Sequence, residues 1–463
     1  MLVVQLLLPR FLVVEVVFFI HFVQGQACLT KSNKSSNKDE DINVISTDEN
    51  QESCLVPMNN KTLIKEEPLF QDLNGNIIQP TLVNKKSAIV IPRFSPTFVS
   101  CPSARFPYFD EGGNTKNVIE LECTTKKTLQ LKESKKILPS FKDLSCSRSI
   151  RESVKETDVS CGPTSETSDA KIVDIGWKTV KGFIPQISVC HDIQREHTFY
   201  STHTIIGSNL DARSTERQRP TFKEGGRRFY SKSSAAKIYQ KSSQESQILT
   251  KYNIFDNSLE RGHLAPDADF VYKEMQDATY YYFNVAPQWR NFNNGNWKYV
   301  EILVRRHAMR RKRNLRVHTG TFENLQLIGD DGTPSNIALG KDSNSNDLLP
   351  VPLYFWKVVF DEDSNHAIAF VVINHPKIEM DGDIPLKYDL CPSESATLCE
   401  DQSWKIRSRK SAKQGLLYCC SYQSLKKKIP WLPNGPGNDA NVGLLSYYFN
   451  DNFLKNSINY III

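Results

Sequence analysis

Apolar and polar positions alternate in short blocks along most of this chain, and the N-terminus is the exception. An apolar block runs from Phe11 to Val23, broken only by Glu15 and His21, and the small residue Gly25 follows. That pattern predicts a secretory signal peptide over residues 1–25, cut near Gly25–Ala27. No later apolar run approaches the roughly 18–20 residues of a membrane span, so no stable membrane association is expected after cleavage. Residues 26–53 are polar and aperiodic, as in a flexible leader. From 54 to 146, short strand-like runs such as Ser87–Ile91 and Val118–Glu122 are punctuated by Gly, Pro and Asn, which predicts a small β-rich domain with four cysteines. The polar stretch 147–170 reads as a linker. From Lys171, strand-like and helix-like segments alternate, predicting an α+β domain over 171–430 and a C-terminal extension over 431–463. Within it, Asn293–Arg313 reads as a single helix, and Tyr280–Phe283 as a buried strand.

Composition narrows the class. Of 463 residues, 39% are hydrophobic and 24% charged, which excludes a mostly disordered chain. No period of about 20–50 residues recurs, which excludes a solenoid or propeller. The 11 cysteines favour an oxidising compartment, and their odd number leaves one without an intrachain partner. Cys391, Cys399, Cys419 and Cys420 invite a zinc reading. They contain no CxxC pair, however, and adjacent cysteines rarely ligate one zinc, so disulfides are expected, with the pairing open. Asn33-Lys34-Ser35 and Asn60-Lys61-Thr62 are acceptor triplets for N-glycosylation.

Charge is uneven. Residues 26–170 carry 19 basic and 20 acidic side chains, whereas 171–463 carry 38 and 31. The basic excess therefore belongs to the C-terminal portion and points to an anionic partner. It is densest at Arg305, Arg306, Arg310, Arg311, Lys312 and Arg313, followed by Arg316. Capping a helix C-terminus needs fewer cations than this, so a phosphate-contacting surface is expected.

The chemistry gathers between Glu260 and Glu301. Hydrolysis of a phosphodiester needs a base near neutral pH, which suits an imidazole, and cationic groups to offset charge on the transition state. Mg2+ prefers oxygen ligands and keeps most of its waters, so one or two Asn, Asp or Glu oxygens suffice to hold it. Arg261 and His263 are two apart and share one side of a strand. Asn293 and Glu301 are eight apart and share one face of a helix. Asp267 and Asp269 share the spacing of a second-metal pair, but turn and N-cap roles are expected for them.

These pieces, Glu260-Arg261-Gly262-His263, Asn284-Val285-Ala286-Pro287-Gln288, Asn293 with Trp297, and Glu301, resemble the motifs of the DNA/RNA non-specific endonucleases, the ββα-metal or His-Me finger nucleases. The N-terminal organisation, with Ile187–Cys190, Pro352–Lys357 and Tyr418-Cys419-Cys420, is similar to the insect secreted double-stranded ribonuclease and salivary endonuclease type. The resemblance implies a ββα-metal domain with a central antiparallel sheet and flanking helices. It implies His263 as general base and Asn293 as direct ligand of a hydrated Mg2+, with Mn2+ as substitute. Glu301 would hold metal-bound waters, Asn284 would orient the site or contact phosphate, and Arg261 would stabilise the transition state. An upstream arginine is also implied, with Arg219 the candidate and Arg227 and Arg228 its rivals. The family's usual Asp before the Arg-Gly-His run is Glu260 here, one methylene longer.

The expectation is a secreted, Mg2+-dependent, sugar-non-specific endonuclease acting on double-stranded DNA and RNA and leaving 5′-phosphate ends. Two alternatives are a ribonuclease preferring double-stranded RNA, whose recognition depends on groove shape and 2′-hydroxyls, and a nucleic-acid-binding protein weakened in catalysis.

Overall fold

The computed structural model describes residues 53–447 apart from 110–115, 126, 165–168, 216–217, 227–228, 231, 233, 379–383, 407 and 438. The expected signal peptide, the expected leader up to residue 52 with Cys28, the first glycosylation triplet, Arg227 and Arg228 lie outside the described residues. Seven short strands come first: β1 (Ser53–Pro57), β2 (Leu69–Gln71), β3 (Thr81–Val83), β4 (Lys86–Pro92), β5 (Thr97–Ser100), β6 (Val118–Cys123) and β7 (Leu129–Leu131). They form two antiparallel sheets, ordered β1-β4-β3 and β2-β5-β6-β7. Cys54–Cys123 and Cys101–Cys146 staple this region.

The stretch expected as a linker carries β8 (Ser153–Ser160), which pairs antiparallel with β9 (Lys171–Thr179) at the edge of the large sheet. Its side chains are half-buried or exposed. An edge strand with so little apolar content reads as linker in sequence, because its order comes from main-chain pairing.

The large sheet continues through β10 (Gly182–Asp192) and β11 (His197–Ile206). The chain then leaves it. Two one-turn helices, α1 (Ala235–Ile238) and α2 (Lys241–Gln244), precede the antiparallel pair β12 (Leu259–His263) and β13 (Val285–Trp289), whose connection contains α3 (Lys273–Asp277). Next come α4 (Arg290–Phe292) and, beyond a distorted turn, α5 (Lys298–Arg311). β14 (Asn314–Asn324) re-enters the sheet beside β11. Two hairpins, β15 (Gln326–Ile328) with β16 (Pro334–Asn336) and β17 (Ala338–Lys341) with β18 (Asp347–Pro350), lead to β19 (Pro352–Asp361) and β20 (His366–Ile373). After α6 (Leu398–Asp401), β21 (Leu417–Cys420) closes the sheet, α7 (Tyr422–Lys428) follows, and β22 (Gly443–Leu444) adds in parallel to β20. The sheet order is β21-β20-β19-β14-β11-β10-β9-β8. Strands β12, β13 and helix α5 are the ββα unit of the expected α+β fold. Among the described residues no helix is long and apolar enough to cross a membrane.

Both faces of this sheet are buried, which explains its near-continuous apolar strands. In β19, Phe355 and Val359 join one core while Tyr354, Trp356, Val358 and Phe360 join the other; in β20, Ile368, Phe370 and Val372 are opposed to Ala367, Ala369, Val371 and Ile373. The same alternation settles the cysteine pair. Cys419 faces the first core and bonds Cys399, whereas Cys420 faces the second and bonds Cys391. Adjacent positions on a strand point to opposite faces, so the two disulfides fasten opposite sides of one strand. With Cys161–Cys190 there are five disulfides among the described residues. The first core runs without a break from Cys54 through Trp177 to Tyr447, so the N-terminal sheets share it with the large sheet. The predicted site residues lie on that face.

Candidate active site

β12 and β13 pair in register, with Glu260 opposite Gln288 and His263 opposite Val285. Gly262 separates Arg261 from His263 because a Cβ there would approach the Gln288 side chain to 2.6 Å. Arg261 and His263 emerge on the same side, as the period-2 argument expects. Both pack on Phe222, with the guanidinium carbon 5.4 Å and the imidazole 5.2 Å from its ring centroid. Arg261 also lies 5.1 Å from the Tyr239 ring and 5.4 Å from Tyr282, and its buried Nε has no partner. This aromatic cage fixes a cation whose N–H groups are largely unspent. The His263 ring meets Tyr280 edge-on at 5.1 Å, and its Nε2 is buried and unpartnered. Burial lowers its pKa to about 4, with nearby Asp267 opposing the shift and Arg219 adding to it. The imidazole is therefore neutral at neutral pH.

Arg219 is 72% exposed and its Nε lies 3.7 Å from Asp267 Oδ2, which also accepts the Tyr280 hydroxyl at 2.7 Å. Backbone bonds from Lys223 to Tyr280 and from Tyr282 to Lys223 lash this segment beside the loop. The tyrosine run is buried as expected, but it is no strand: Tyr281 makes one isolated bridge to Lys223, Tyr282–Asn284 is a 3-10 turn, and pairing with β12 starts at Val285. Asn284 is wholly buried. Its Nδ2 donates to Ala265 O and Thr279 O, both at 2.9 Å, and its Oδ1 accepts from Ala265 N at 3.1 Å. Every polar group of that amide is spent on the loop after His263.

The predicted helix Asn293–Arg313 is interrupted. Gly295 has φ −95° and ψ −122° inside a distorted turn, and a Cβ there would meet Gln414 O at 2.6 Å. The close approach is locked by Asn296, whose Nδ2 donates to Ser408 O at 2.8 Å and Gly415 O at 2.6 Å. Regular helix starts at Lys298 and ends at Arg311, with Lys312 left-handed at φ 50°. The regular helical phase that put Asn293 and Glu301 on one face is thus broken between them. Trp297 is fully buried, 5.6 Å from Phe355, and anchors the turn.

Asn293 is half-buried and donates from Nδ2 to Glu260 Oε2 at 3.0 Å. Asn294 Nδ2 donates to the same oxygen at 3.0 Å, and Arg290 Nε lies 3.5 Å from Oε1. With its nitrogen committed, Asn293 turns its carbonyl oxygen away from Glu260. Glu301 sits in the first turn of α5, where the helix dipole favours an anion, and its side chain is 13% exposed. It accepts no hydrogen bond among the described residues. Its pKa is raised to about 7 by burial, against Arg305 and Lys357 and in concert with Asp269 and Asp267. Asp267 therefore acts electrostatically on both His263 and Glu301. Among the described residues no group of three or more His, Cys, Asp or Glu gathers to hold a metal ion. A half-buried amide carbonyl and an unspent carboxylate instead fit a hard cation that keeps most of its own waters.

The basic cluster divides. Arg306, Arg310 and Lys312 are exposed, and Arg311 is half-buried. Arg305 points inward, 15% exposed, with its Nη1 2.8 Å from Asp269 Oδ1 and 4.0 Å from Glu301 Oε2. It is no surface contact, because its place one turn after Glu301 borders the buried stripe Val300, Leu303, Val304, His307 and Ala308. Arg313 lies beyond the helix and pairs with Asp363 at 2.5 Å. Asp267 and Asp269 form a 3-10 turn with no side-chain cap.

Three participants escaped the sequence. Lys357 in β19 is buried, donates to Thr319 Oγ1 at 2.5 Å and lies 5.2 Å from the Trp297 ring centroid. Burial lowers its pKa while Glu301 and Asp269 hold it up. Phe222 and Tyr280 pack His263. A cavity of about 610 Å3 lined by Arg195, His197, Phe199, Phe322 and Trp431 contains none of the predicted residues.

Residues 169–424 match the family model described as DNA/RNA non-specific endonuclease. The chain is 27% identical over 337 residues to a salivary endonuclease of Lutzomyia longipalpis, covering 71% of this chain and 74% of that protein. It is 26% identical over 315 residues to salivary protein Tsal2A of Glossina morsitans morsitans, covering 66% and 74%. Over 141 residues it is 30% identical to mitochondrial endonuclease G of Bos taurus, covering 30% and 45%.

Proposed function

The chain belongs to the DNA/RNA non-specific endonuclease family, whose members hydrolyse phosphodiester bonds, and from that premise we propose that it is a secreted, Mg2+-dependent endonuclease of double-stranded DNA and RNA. The observation that carries the chemistry is the neutral His263, whose Nε2 is unspent, held beside Arg219 and two residues from the caged Arg261.

His263 removes a proton from the attacking water at Nε2. An incoming phosphodiester brings negative charge that raises the proton affinity of a ring otherwise depressed by burial. Arg261, rigid between three rings, and Arg219 at the rim offset charge on the phosphate oxygens. Asn293 presents its carbonyl oxygen and Glu301 its carboxylate to a divalent cation, Mg2+ or Mn2+. Bound there, the cation supplies charge neutralisation for the phosphate and leaving oxygen. Glu260 keeps the Asn293 amide from flipping. The exposed cations Arg306, Arg310 and Lys312 supply sequence-independent attraction to a polyanion. The five disulfides among the described residues support an oxidising destination, as do two relatives named salivary.

The test is digestion of plasmid DNA and of long double-stranded RNA by the purified protein with Mg2+ and with EDTA. Cleavage of both, abolished by EDTA, is expected. Cleavage of RNA alone would narrow the substrate to double-stranded RNA. Binding without cleavage of either would overturn the enzyme reading.

A further inference from the structure

Asp269 stands behind the site. Its side chain is 3% exposed, and each carboxylate oxygen has its own partner. His203 Nε2 donates to Oδ2 at 2.8 Å and Arg305 Nη1 donates to Oδ1 at 2.8 Å. Arg305 lies one helical turn after Glu301, and the same Nη1 is 4.0 Å from Glu301 Oε2, beyond hydrogen-bonding distance. A guanidinium this buried demands a bonded anion, and two carboxylates compete for it. In the observed arrangement Asp269 takes the bond and Glu301 is left with unspent oxygens. Were Asp269 neutral, Arg305 would turn to Glu301 and form the charge-assisted, bidentate pair that arginine and carboxylate favour. Glu301 would then have one lone pair on each oxygen and much of its charge committed to the guanidinium, leaving it a poorer acceptor for the waters of a cation.

We propose that Asp269 is a positioning residue: by holding Arg305 it keeps Glu301 free to face a hydrated divalent cation. His203 completes the arrangement from β11. It spends its Nε2–H on Asp269, while its Nδ1 is buried and unpartnered, so it supports the carboxylate without bringing a second cation. This role is an alternative to Asp269 as ligand of a second metal, since both its oxygens are already bonded. It rests on the nuclease reading above.

The experiment is Mn2+ binding by the full chain without substrate, followed by electron paramagnetic resonance, alongside steady-state cleavage. Asp269→Asn should weaken Mn2+ binding about tenfold and lower kcat at fixed Mg2+ by 10- to 100-fold, with KM for duplex DNA within twofold. In the double variant Asp269→Asn/Arg305→Gln the competing guanidinium is gone, so Mn2+ affinity should return to within threefold of wild type. A role in folding alone predicts no such return. Wild-type Mn2+ affinity in Asp269→Asn, or a loss that Arg305→Gln fails to reverse, overturns the proposal. Should Asp269→Asn not fold, Arg305→Gln alone decides: it should bind Mn2+ at least as tightly as wild type, and weaker binding overturns the proposal. Absence of cleavage by the wild-type protein would count against the nuclease reading, whereas an active wild type with unaltered variants would count against this inference alone.

Discussion

At the scale of single residues, two side chains carry the sharpest consequences. His263→Ala removes the proposed base but leaves the cage around Arg261 and the exposed cations in place. Cleavage should fall by about 10²–10⁴-fold while the Kd for duplex DNA changes less than threefold in a filter-binding or anisotropy titration. Joint loss of binding and folding would mean that the ring, packed on Phe222 and Tyr280, is structural. Glu260 stands where the family's usual residue is Asp. The longer side chain reaches both Asn293 and Asn294 at 3.0 Å, and shortening it by one methylene retracts the carboxylate by roughly 1.5 Å. Restoring the family residue should therefore harm the enzyme. Glu260→Asp is expected to lower kcat about tenfold, because a displacement of this size releases the Asn293 amide, with KM for DNA unchanged. Equal or higher kcat would show that the carboxylate does not set Asn293.

At the scale of elements, legibility followed the range of the interactions. Arg261 and His263 share a side because strand alternation is local, and the sequence period suffices to see it. The helical relation of Asn293 to Glu301 assumed a continuous helix, and Gly295 interrupts it because the segment at Gln414, over a hundred positions later, presses its backbone there. No local pattern announces that contact. Likewise Arg305 reads as a surface cation until Asp269 and His203 are brought to it from other elements. Gly295→Ala tests the kink. Its Cβ would overlap Gln414 O, so unfolding free energy should drop by about 1–3 kcal/mol, read as a lower denaturation midpoint, with larger loss of activity than of DNA binding. Helix α3 offers a pH test. Glu274 is buried with one unpartnered oxygen, and burial together with Glu67 raises its pKa to about 7. A carboxyl whose folded pKa is raised favours the native state most below its unfolded value near 4.5, and that contribution is lost as pH rises through about 7. Glu274→Gln should thus leave stability at pH 4.5 nearly unchanged and raise it by up to about 3 kcal/mol above pH 7.5. A gain independent of pH would show that folding does not shift this carboxyl's pKa.

At the scale of the whole molecule, the N-terminal sheets behave as part of the catalytic body. Tyr272, at the start of α3, donates its hydroxyl to Ile78 O at 2.9 Å; Asn209 donates to Pro80 O at 2.8 Å; and Ser87 donates to Ala212 O at 3.1 Å. Glu152, just before β8, accepts from both Lys223 and Tyr281, which belong to the segments that carry Arg219 and lead to Asn284. Buried side chains from Cys54 to Ile150 lie in one core cluster with those around the site. Removing residues 54–146 would uncover that core and cut the supports of the loop bearing Asp267 and Asp269, at a cost far above the roughly 5–15 kcal/mol that separates folded from unfolded domains. An autoinhibitory flap would behave in the opposite way, since such a segment rests on a finished enzyme and its loss releases activity. Secreted expression of residues 147–463 is therefore expected to yield aggregated protein without cleavage of plasmid DNA, next to a soluble, active full chain. A soluble fragment with higher kcat than the full chain would make the N-terminal sheets an inhibitor, and a soluble fragment with normal kcat but raised KM would make them a substrate guide.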